Sequence, residues 1–293
     1  MPSSHPSQPP SRVRRRWRRP LLRLLLRFGL LLAVIYLCCF PNPLIPLSNL
    51  HRIRNLPSIT DPDQTYAQKW ITLFDRAVPP DTPAASLPEA VQQFVYQNIP
   101  YAWDWDTYGA ADHWPTLDEL WYIRADDCDG RAILAATLLR SRGLDVHFLS
   151  DAQHVWLSTP EGECMHPGRG RRQVDAQGVA QSNRIAGLDL LRAASFGMHV
   201  FPAGRQAIWV LAAIVLFGLH GPWWARVVGT GVLAGGYTAA AYSAGAESRD
   251  LWLLLGWAGI ALWLVWAMIG TFRAGLLGRA GHSPPARTDP PAA

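Results

Sequence analysis

The stretch Asp126-Asp127-Cys128-Asp129-Gly130 is the most informative part of this sequence, because it places a cysteine at the start of a predicted helix. Apolar residues recur at helical spacing from about Gly130 to Arg142, and Gly143 is a typical helix-ending residue. At a helix start, free backbone N–H groups and the helix dipole stabilise a thiolate. We therefore interpret Cys128 as a candidate nucleophile.

A second stretch, Gln153-His154-Val155-Trp156, belongs to a predicted β-hairpin. The segments Asp145–Leu149 and His154–Ser158 are rich in β-branched and aromatic residues, and a polar turn separates them. Such a hairpin would carry His154 back over the helix start, where an imidazole can remove the proton of a thiol. The pair Cys128 and His154 thus predicts nucleophilic catalysis.

With their surroundings, these residues resemble the transglutaminase-like family, in the papain-type branch that includes the bacterial transglutaminase-like cysteine proteinases. The resemblance extends from about Leu87 to Val174. Besides the cysteine turn and the His154-Val-Trp strand, it depends on the stretches Asn98–Tyr101, Asp112–Thr116, Leu117–Trp121 and Leu138–Gly143. It implies an α+β, papain-like transglutaminase-core domain at about residues 48–200, with Cys128 at the start of a central helix and His154 on an antiparallel sheet.

The resemblance also implies a third catalytic residue, an acid that orients the imidazole of His154. In the expected place this chain has His166, which supplies no negative charge and would stabilise an imidazolium less than a carboxylate does. Asp175 could instead provide the carboxylate if residues 167–172 form a loop between paired strands. The sequence leaves both His166 and Asp175 open as the third member.

The chemistry that the resemblance implies is acyl transfer through a thioester on a protein or peptide substrate, without a cofactor. With water as the acceptor the enzyme would be a cysteine peptidase or amidase, and with an amine it would be a transglutaminase. The alternative is a catalytically inactive transglutaminase-like module for binding or assembly at the membrane. The departure from the family pattern at His166 supports that alternative, whereas the presence of both Cys128 and His154 opposes it.

The cysteines allow two further interpretations. In an oxidising compartment Cys128 and Cys164 could form a disulfide. Cys128, His154, Cys164 and His166 are also zinc-type ligands, but their spacing lacks the paired C-x-x-C pattern of structural zinc sites. We therefore expect no metal and a free Cys128.

The hydrophobic content of 49% and the 14 tryptophans exceed what one soluble domain needs. Four apolar runs have the length of membrane-spanning helices, namely residues 21–40, 207–225, 227–246 and 251–270. Eight arginines between Arg12 and Arg27 place the N-terminus in the cytoplasm by the positive-inside rule. We expect a multi-pass protein of the cell (inner) membrane, with disordered cytoplasmic residues 1–20, the domain at 48–200 extracytoplasmic, and a second cytoplasmic tail at 271–293.

The net charge of +5 comes mainly from the N-terminal arginines, so it indicates contact with anionic membrane lipid and no nucleic-acid partner. Two local signals predict details of the helices. Ser86 and Glu89 have the spacing of a capping box at the start of a helix over residues 86–98. Gly231 and Gly235 have the spacing that allows close contact between membrane helices.

Overall fold

The computed structural model describes residues 12–150, 154–166, 187–218, 222–244 and 250–277, with side chains described outside residues 12–20, 187–189 and 274–277. The protein is mostly helical and has a small three-stranded sheet. It divides into two compact units. One unit is Tyr36–Pro202, and the other combines the chain up to Ile35 with the chain from Ala203 onward.

In chain order the helices are α1 (Arg12–Cys39), α2 (Ile45–Arg54), α3 (Leu56–Ile59), α4 (Thr65–Ala77), α5 (Leu87–Asn98), α6 (Asp104–Thr107), α7 (Leu117–Ile123), α8 (Cys128–Ser141), α9 (Gly187–Val200), α10 (Ala203–Ala213), α11 (Trp223–Tyr242) and α12 (Asp250–Leu277). A short 3-10 helix, Ala84–Ser86, precedes α5, and a π-helical turn, Ile214–Gly218, follows α10. The strands are β1 (His147–Ser150), β2 (Val155–Thr159) and β3 (Gly162–Cys164).

Helix α8 is the centre of the Tyr36–Pro202 unit. Every side chain from Ala132 to Leu139 is fully buried, as expected for a helix that is apolar on all faces. Helices α4, α5 and α7 and strand β2 pack around it. At its end, Gly143 adopts a left-handed backbone with φ of 79°, and the N–H of Leu144 bonds back to the carbonyl of Leu139. The predicted central helix is confirmed, and it begins at Cys128 itself.

The sheet is antiparallel in the order β1-β2-β3. Ser150 pairs with Val155 and Leu157 pairs with Cys164. The hairpin predicted between residues 145 and 158 is therefore confirmed, and His154 is the residue that immediately precedes β2.

Two helices of the chain have membrane character. Leu21–Cys39 and Asp250–Arg273 are long and apolar enough to cross a membrane, in agreement with the predicted spans at 21–40 and 251–270. A third span is counted only if the bent pair Leu190–Val200 and Ala203–Gly218 is taken as one. The predicted span at 207–225 is interrupted by the π-helical turn, and α11, in the span predicted at 227–246, is rich in glycine and polar aromatic residues.

The helices differ from the predictions at residues 12–20 and at Gly231 and Gly235. Helix α1 begins at Arg12, so residues 12–20, predicted to be disordered, are helical, as the good helix propensity of arginine allows. A Cβ atom at Gly231 or Gly235 would meet nothing within 4 Å, so these glycines do not make the predicted contact. A Cβ at Gly236 would lie 2.9 Å from the carbonyl oxygen of Gly256, so the close approach of α11 and α12 depends on the next glycine in the chain.

Candidate active site

Cys128 is the first residue of α8 and directly follows the N-cap residue Asp127, whose side chain accepts a hydrogen bond from the N–H of Asp129. The backbone N–H of Val155 lies near enough to the sulphur of Cys128 to lower the pKa of the thiol. Because Val155 begins β2, the hairpin does return to the helix start, and the chain at His154 reaches the candidate nucleophile. The side chains of Cys128 and His154 are both half-buried.

The surroundings of Cys128 disfavour a thiolate in the resting protein. Burial, followed by the negative charge of Asp127, raises the pKa of Cys128 to about 12, although the N–H of Val155 and the backbone of Cys128 itself lower it. Burial and the charge of Asp127 thus outweigh the stabilisation of a thiolate that was expected from the helix start. At neutral pH the sulphur carries its proton, so a reaction at Cys128 needs a base that removes the proton as the new bond forms.

His166 is the candidate third residue that the structure describes. Its Nε2 lies 3.3 Å from Oε2 of Glu163, and its ring meets the Trp156 ring edge-on with centroids 5.7 Å apart. Trp156 follows His154 by two residues on the same extended segment, where alternate side chains share a side. Asp175 lies outside the described residues. The sequence analysis did not identify Glu163 as a site residue, although it precedes His166 by three residues.

Four aspartates surround the nucleophile. Asp104, Asp126, Asp127 and Asp129 each offer a carboxylate oxygen, and these atoms lie within 4.8 Å of one another. Burial raises the pKa of Asp104 to about 9 and that of Asp126 to about 6, and it also raises the pKa of Asp129. For Asp104 and Asp129 the negative charge of Asp127 is the next cause. At neutral pH the Asp104 carboxyl therefore retains its proton.

The structure fixes this acidic cluster tightly. The Tyr108 hydroxyl donates to Oδ2 of Asp126 at 2.6 Å, and the N–H of His113 donates to Oδ2 of Asp104 at 2.5 Å. Within the described chain, Oδ1 of Asp104 and Oδ2 of Asp129 are buried and accept no hydrogen bond. Carboxylate oxygens are the usual ligands of Ca²⁺ and Mg²⁺, so the cluster can hold either shared protons or a divalent cation.

The interpretations based on the cysteines and zinc gain no geometric support. Cys128 and Cys164 are both free, and the sulphur of Cys164 is buried and donates to the carbonyl of Pro88 at 3.3 Å. Among the residues that the structure describes, the group close enough to share a metal ion is the aspartate cluster, which includes neither Cys164 nor His166.

A second polar network is connected to the aspartate cluster through Tyr108. Arg52 forms a bidentate ion pair with Glu119 at 2.8 and 3.1 Å, and Nε2 of His113 lies 3.2 Å from the same carboxylate. Burial opposes ionisation of Glu119, but hydrogen bonds from His113 and Arg52 outweigh it and lower its pKa to about 2. The His113 ring packs on the Tyr108 ring with centroids 4.1 Å apart. The network thereby positions Tyr108, which in turn holds Asp126.

Comparison with known proteins adds no relative, since no family model, no curated protein and no solved structure matches the chain.

Proposed function

We propose that this protein is a membrane-anchored, transglutaminase-like cysteine enzyme that acts on peptide or carboxamide bonds by acyl transfer or hydrolysis. The observation that carries the proposal is the packing of strand β2 against helix α8, where the N–H of Val155 lies near enough to the sulphur of Cys128 to lower its pKa. It joins the hairpin that bears His154 to the start of a buried helix, which is the arrangement expected from the transglutaminase-like, papain-like fold that the sequence resembles.

In the proposed reaction, the Cys128 sulphur attacks the carbonyl carbon while His154 removes the thiol proton. The tetrahedral intermediate then collapses to a thioester, and His154 returns the proton to the leaving amine. Water or a second amine completes the cycle. The raised pKa of Cys128 fits transfer of the proton during attack better than a thiolate formed in advance.

We assign the role of orienting the His154 imidazole to His166 or Asp175. His166 lacks a negative charge, but the carboxylate of Glu163 at 3.3 Å can supply one through the imidazole. This contact supports His166 as the orienting residue.

We also propose that four spans anchor the enzyme in the cell membrane, with both termini cytoplasmic and the domain at 48–200 on the outer, periplasmic face. The two helices that are long and apolar enough to cross a membrane support the first and the last of these spans. The arginines between Arg12 and Arg27 support the orientation.

A specific observation favours the second candidate, a catalytically inactive binding or assembly module at the membrane. Burial and the charge of Asp127 raise the pKa of Cys128 to about 12, which opposes nucleophilic attack. Such a module would tolerate the loss of the Cys128 sulphur, whereas an enzyme would not.

The full chain in detergent micelles, incubated with glutamine-containing peptides and a fluorescent primary amine, tests the proposal, with Cys128→Ser as the matched control. Amine incorporation that depends on Cys128 indicates a transglutaminase, and peptide cleavage that depends on Cys128 indicates a peptidase. If wild type and Cys128→Ser behave alike in both assays, the enzyme is excluded in favour of the binding module.

A further inference from the structure

The segment that carries Tyr101 is fixed beside the nucleophile turn. The N–H of Asp126 donates to the carbonyl of Pro100 at 3.2 Å, and the N–H of Ala102 donates to the carbonyl of Asp126 at 3.1 Å. These bonds form an isolated parallel bridge between Tyr101 and Asp126. Because Asp126 precedes Cys128 by two residues, the backbone of Tyr101 runs directly alongside the nucleophile turn.

The ring of Tyr101 lies over the first turn of α8. The guanidinium carbon of Arg131 is 5.0 Å from the ring centroid, and Arg131 follows Cys128 by three residues and so shares its face of the helix. Nε of Arg131 also donates to the carbonyl of Ile99 at 3.0 Å, which ties this arginine to the same segment. The ring also meets Trp103 edge-on, with centroids 5.1 Å apart. The ring is thus held by two contacts.

The hydroxyl of Tyr101 is free to interact with a substrate. Tyr101 is 46% exposed, and no hydrogen bond within the described residues engages its hydroxyl. Partial burial is the main cause that raises the pKa of Tyr101, and the charges of Asp127 and Cys128 come next. A phenol is a hydrogen-bond donor throughout the neutral range.

Besides the backbone N–H of Cys128 and the guanidinium of Arg131, few groups at this site can donate a hydrogen bond to a negative oxygen. The four clustered aspartates are acceptors when ionised and would repel it. The indole N–H of Trp156 is a donor without a partner among the described residues, but it is buried and Trp156 is only 3% exposed. An incoming carbonyl group therefore reaches the Tyr101 hydroxyl more readily than the Trp156 indole.

We propose that the hydroxyl of Tyr101 donates a hydrogen bond to the oxyanion that forms when the sulphur of Cys128 attacks a carbonyl group, which makes Tyr101 a further catalytic residue. This inference rests on the proposed acyl-transfer function. In the step, the S–C bond forms, the carbonyl π pair moves to the oxygen, and the thiol proton passes to His154. The oxyanion then expels the leaving group, which takes the proton from His154, and the Tyr101 proton stays on its phenol.

Two reagents separate this role from a structural one. Acylation of Cys128 by p-nitrophenyl acetate passes through an oxyanion, whereas alkylation of the same sulphur by iodoacetamide does not. In the full chain, with adducts at Cys128 measured by peptide mass spectrometry, Tyr101→Phe should slow acylation about 100-fold and leave alkylation unchanged. Phenylalanine keeps the ring contacts with Arg131 and Trp103, so the fold should not change.

Tyr96→Phe is the matched control, because Tyr96 is 45% exposed and its ring also faces Arg131, at 5.1 Å. It should behave as wild type with both reagents. Acylation of Tyr101→Phe at the wild-type rate would overturn the inference, as would equal slowing of acylation and alkylation. If wild-type Cys128 acylates no faster than it does in His154→Ala, the proposed function fails, and the role of Tyr101 fails with it.

Discussion

At the scale of single residues, the environment of Cys128 is more acidic and more buried than a helix start alone suggests. The N–H of Val155 favours the thiolate, but burial and Asp127 outweigh it. The same balance explains the neighbouring carboxyls, whose raised pKa values show that the ionised forms are disfavoured there. A general base, or a bound cation that neutralises the cluster, would offset this effect.

Asp104 gives a prediction about pH and stability. Its pKa rises from an ordinary 3.8 to about 9 in the folded protein, chiefly through burial. Between these pH values the folded state keeps a proton that the unfolded chain has lost. The stabilising contribution of Asp104 is therefore complete below pH 3.8, decreases as the pH rises, and is lost once the pH has passed through about 9. In a chelating buffer, we expect the unfolding midpoint of Asp104→Asn to fall less than that of wild type between pH 5 and pH 9.

The matched control is Asp106→Asn, because Asp106 is an exposed carboxylate on the same short helix. Its midpoint should follow that of wild type at every pH. A slope for Asp104→Asn as steep as that of wild type would show that the Asp104 carboxyl does not retain its proton in the folded state.

At the scale of the elements, helix α8 and the hairpin were predictable because each pattern is local. All residues from Asp129 to Leu139 except Arg131 are buried, which explains the apolar run in the sequence. The acidic cluster was not predictable, since Asp104 reaches Asp126 only through a bridge between distant segments. Which group of carboxyls shares a site depends on that tertiary contact.

The capping box illustrates a limit of local signals. Ser86 does precede α5, but its side chain makes no capping hydrogen bond because its backbone is already helical in the 3-10 turn before it. A capping box forms instead between Thr116 and Glu119 at the start of α7, where the residue before the helix is extended. The spacing of two residue types fits both places, and only the backbone conformation distinguishes them.

The start of α8 gives a prediction about packing. A Cβ atom at Gly130 would collide with the carboxyl group of Asp126, so Gly130→Ala should destabilise the protein. Overpacking costs about 1–3 kcal/mol, and the gain in helix propensity of about 1 kcal/mol offsets only part of it. Gly197→Ala is the control, since Gly197 on α9 has open space around its Cβ position. Gly197→Ala should raise the unfolding midpoint. If Gly130→Ala raises it as well, Asp126 does not pack closely against Gly130 of α8.

At the scale of the whole molecule, the chain combines a helical unit with a small sheet and a unit that contains helices of membrane length. The number of spans was harder to predict than their presence. Length and apolarity identify Leu21–Cys39 and Asp250–Arg273 without ambiguity, whereas the middle of the chain has a π-helical turn and a glycine-rich helix. Such helices gain stability from packing, which hydropathy does not report.

The proposed orientation is open to a labelling test in intact cells. A thiol reagent that cannot cross the membrane should label Asp63→Cys, an exposed position before α4, but should label Ser4→Cys only after permeabilisation. The unsubstituted chain shows the background from its own cysteines. The reverse pattern would place the Cys128 domain in the cytoplasm and contradict the proposed topology.

The most direct test of an acyl-transfer site at Cys128 is the rate at which p-nitrophenyl acetate acylates this sulphur in the full chain at neutral pH. We expect His154→Ala to slow acylation by about 100-fold or more, because a positioned base contributes roughly that much to such a step. His147→Ala should leave the rate unchanged, because His147 is an exposed histidine on β1 whose partner is Asp145. An unchanged rate in His154→Ala would show that Cys128 and His154 do not act together, and it would contradict the proposed enzymatic function.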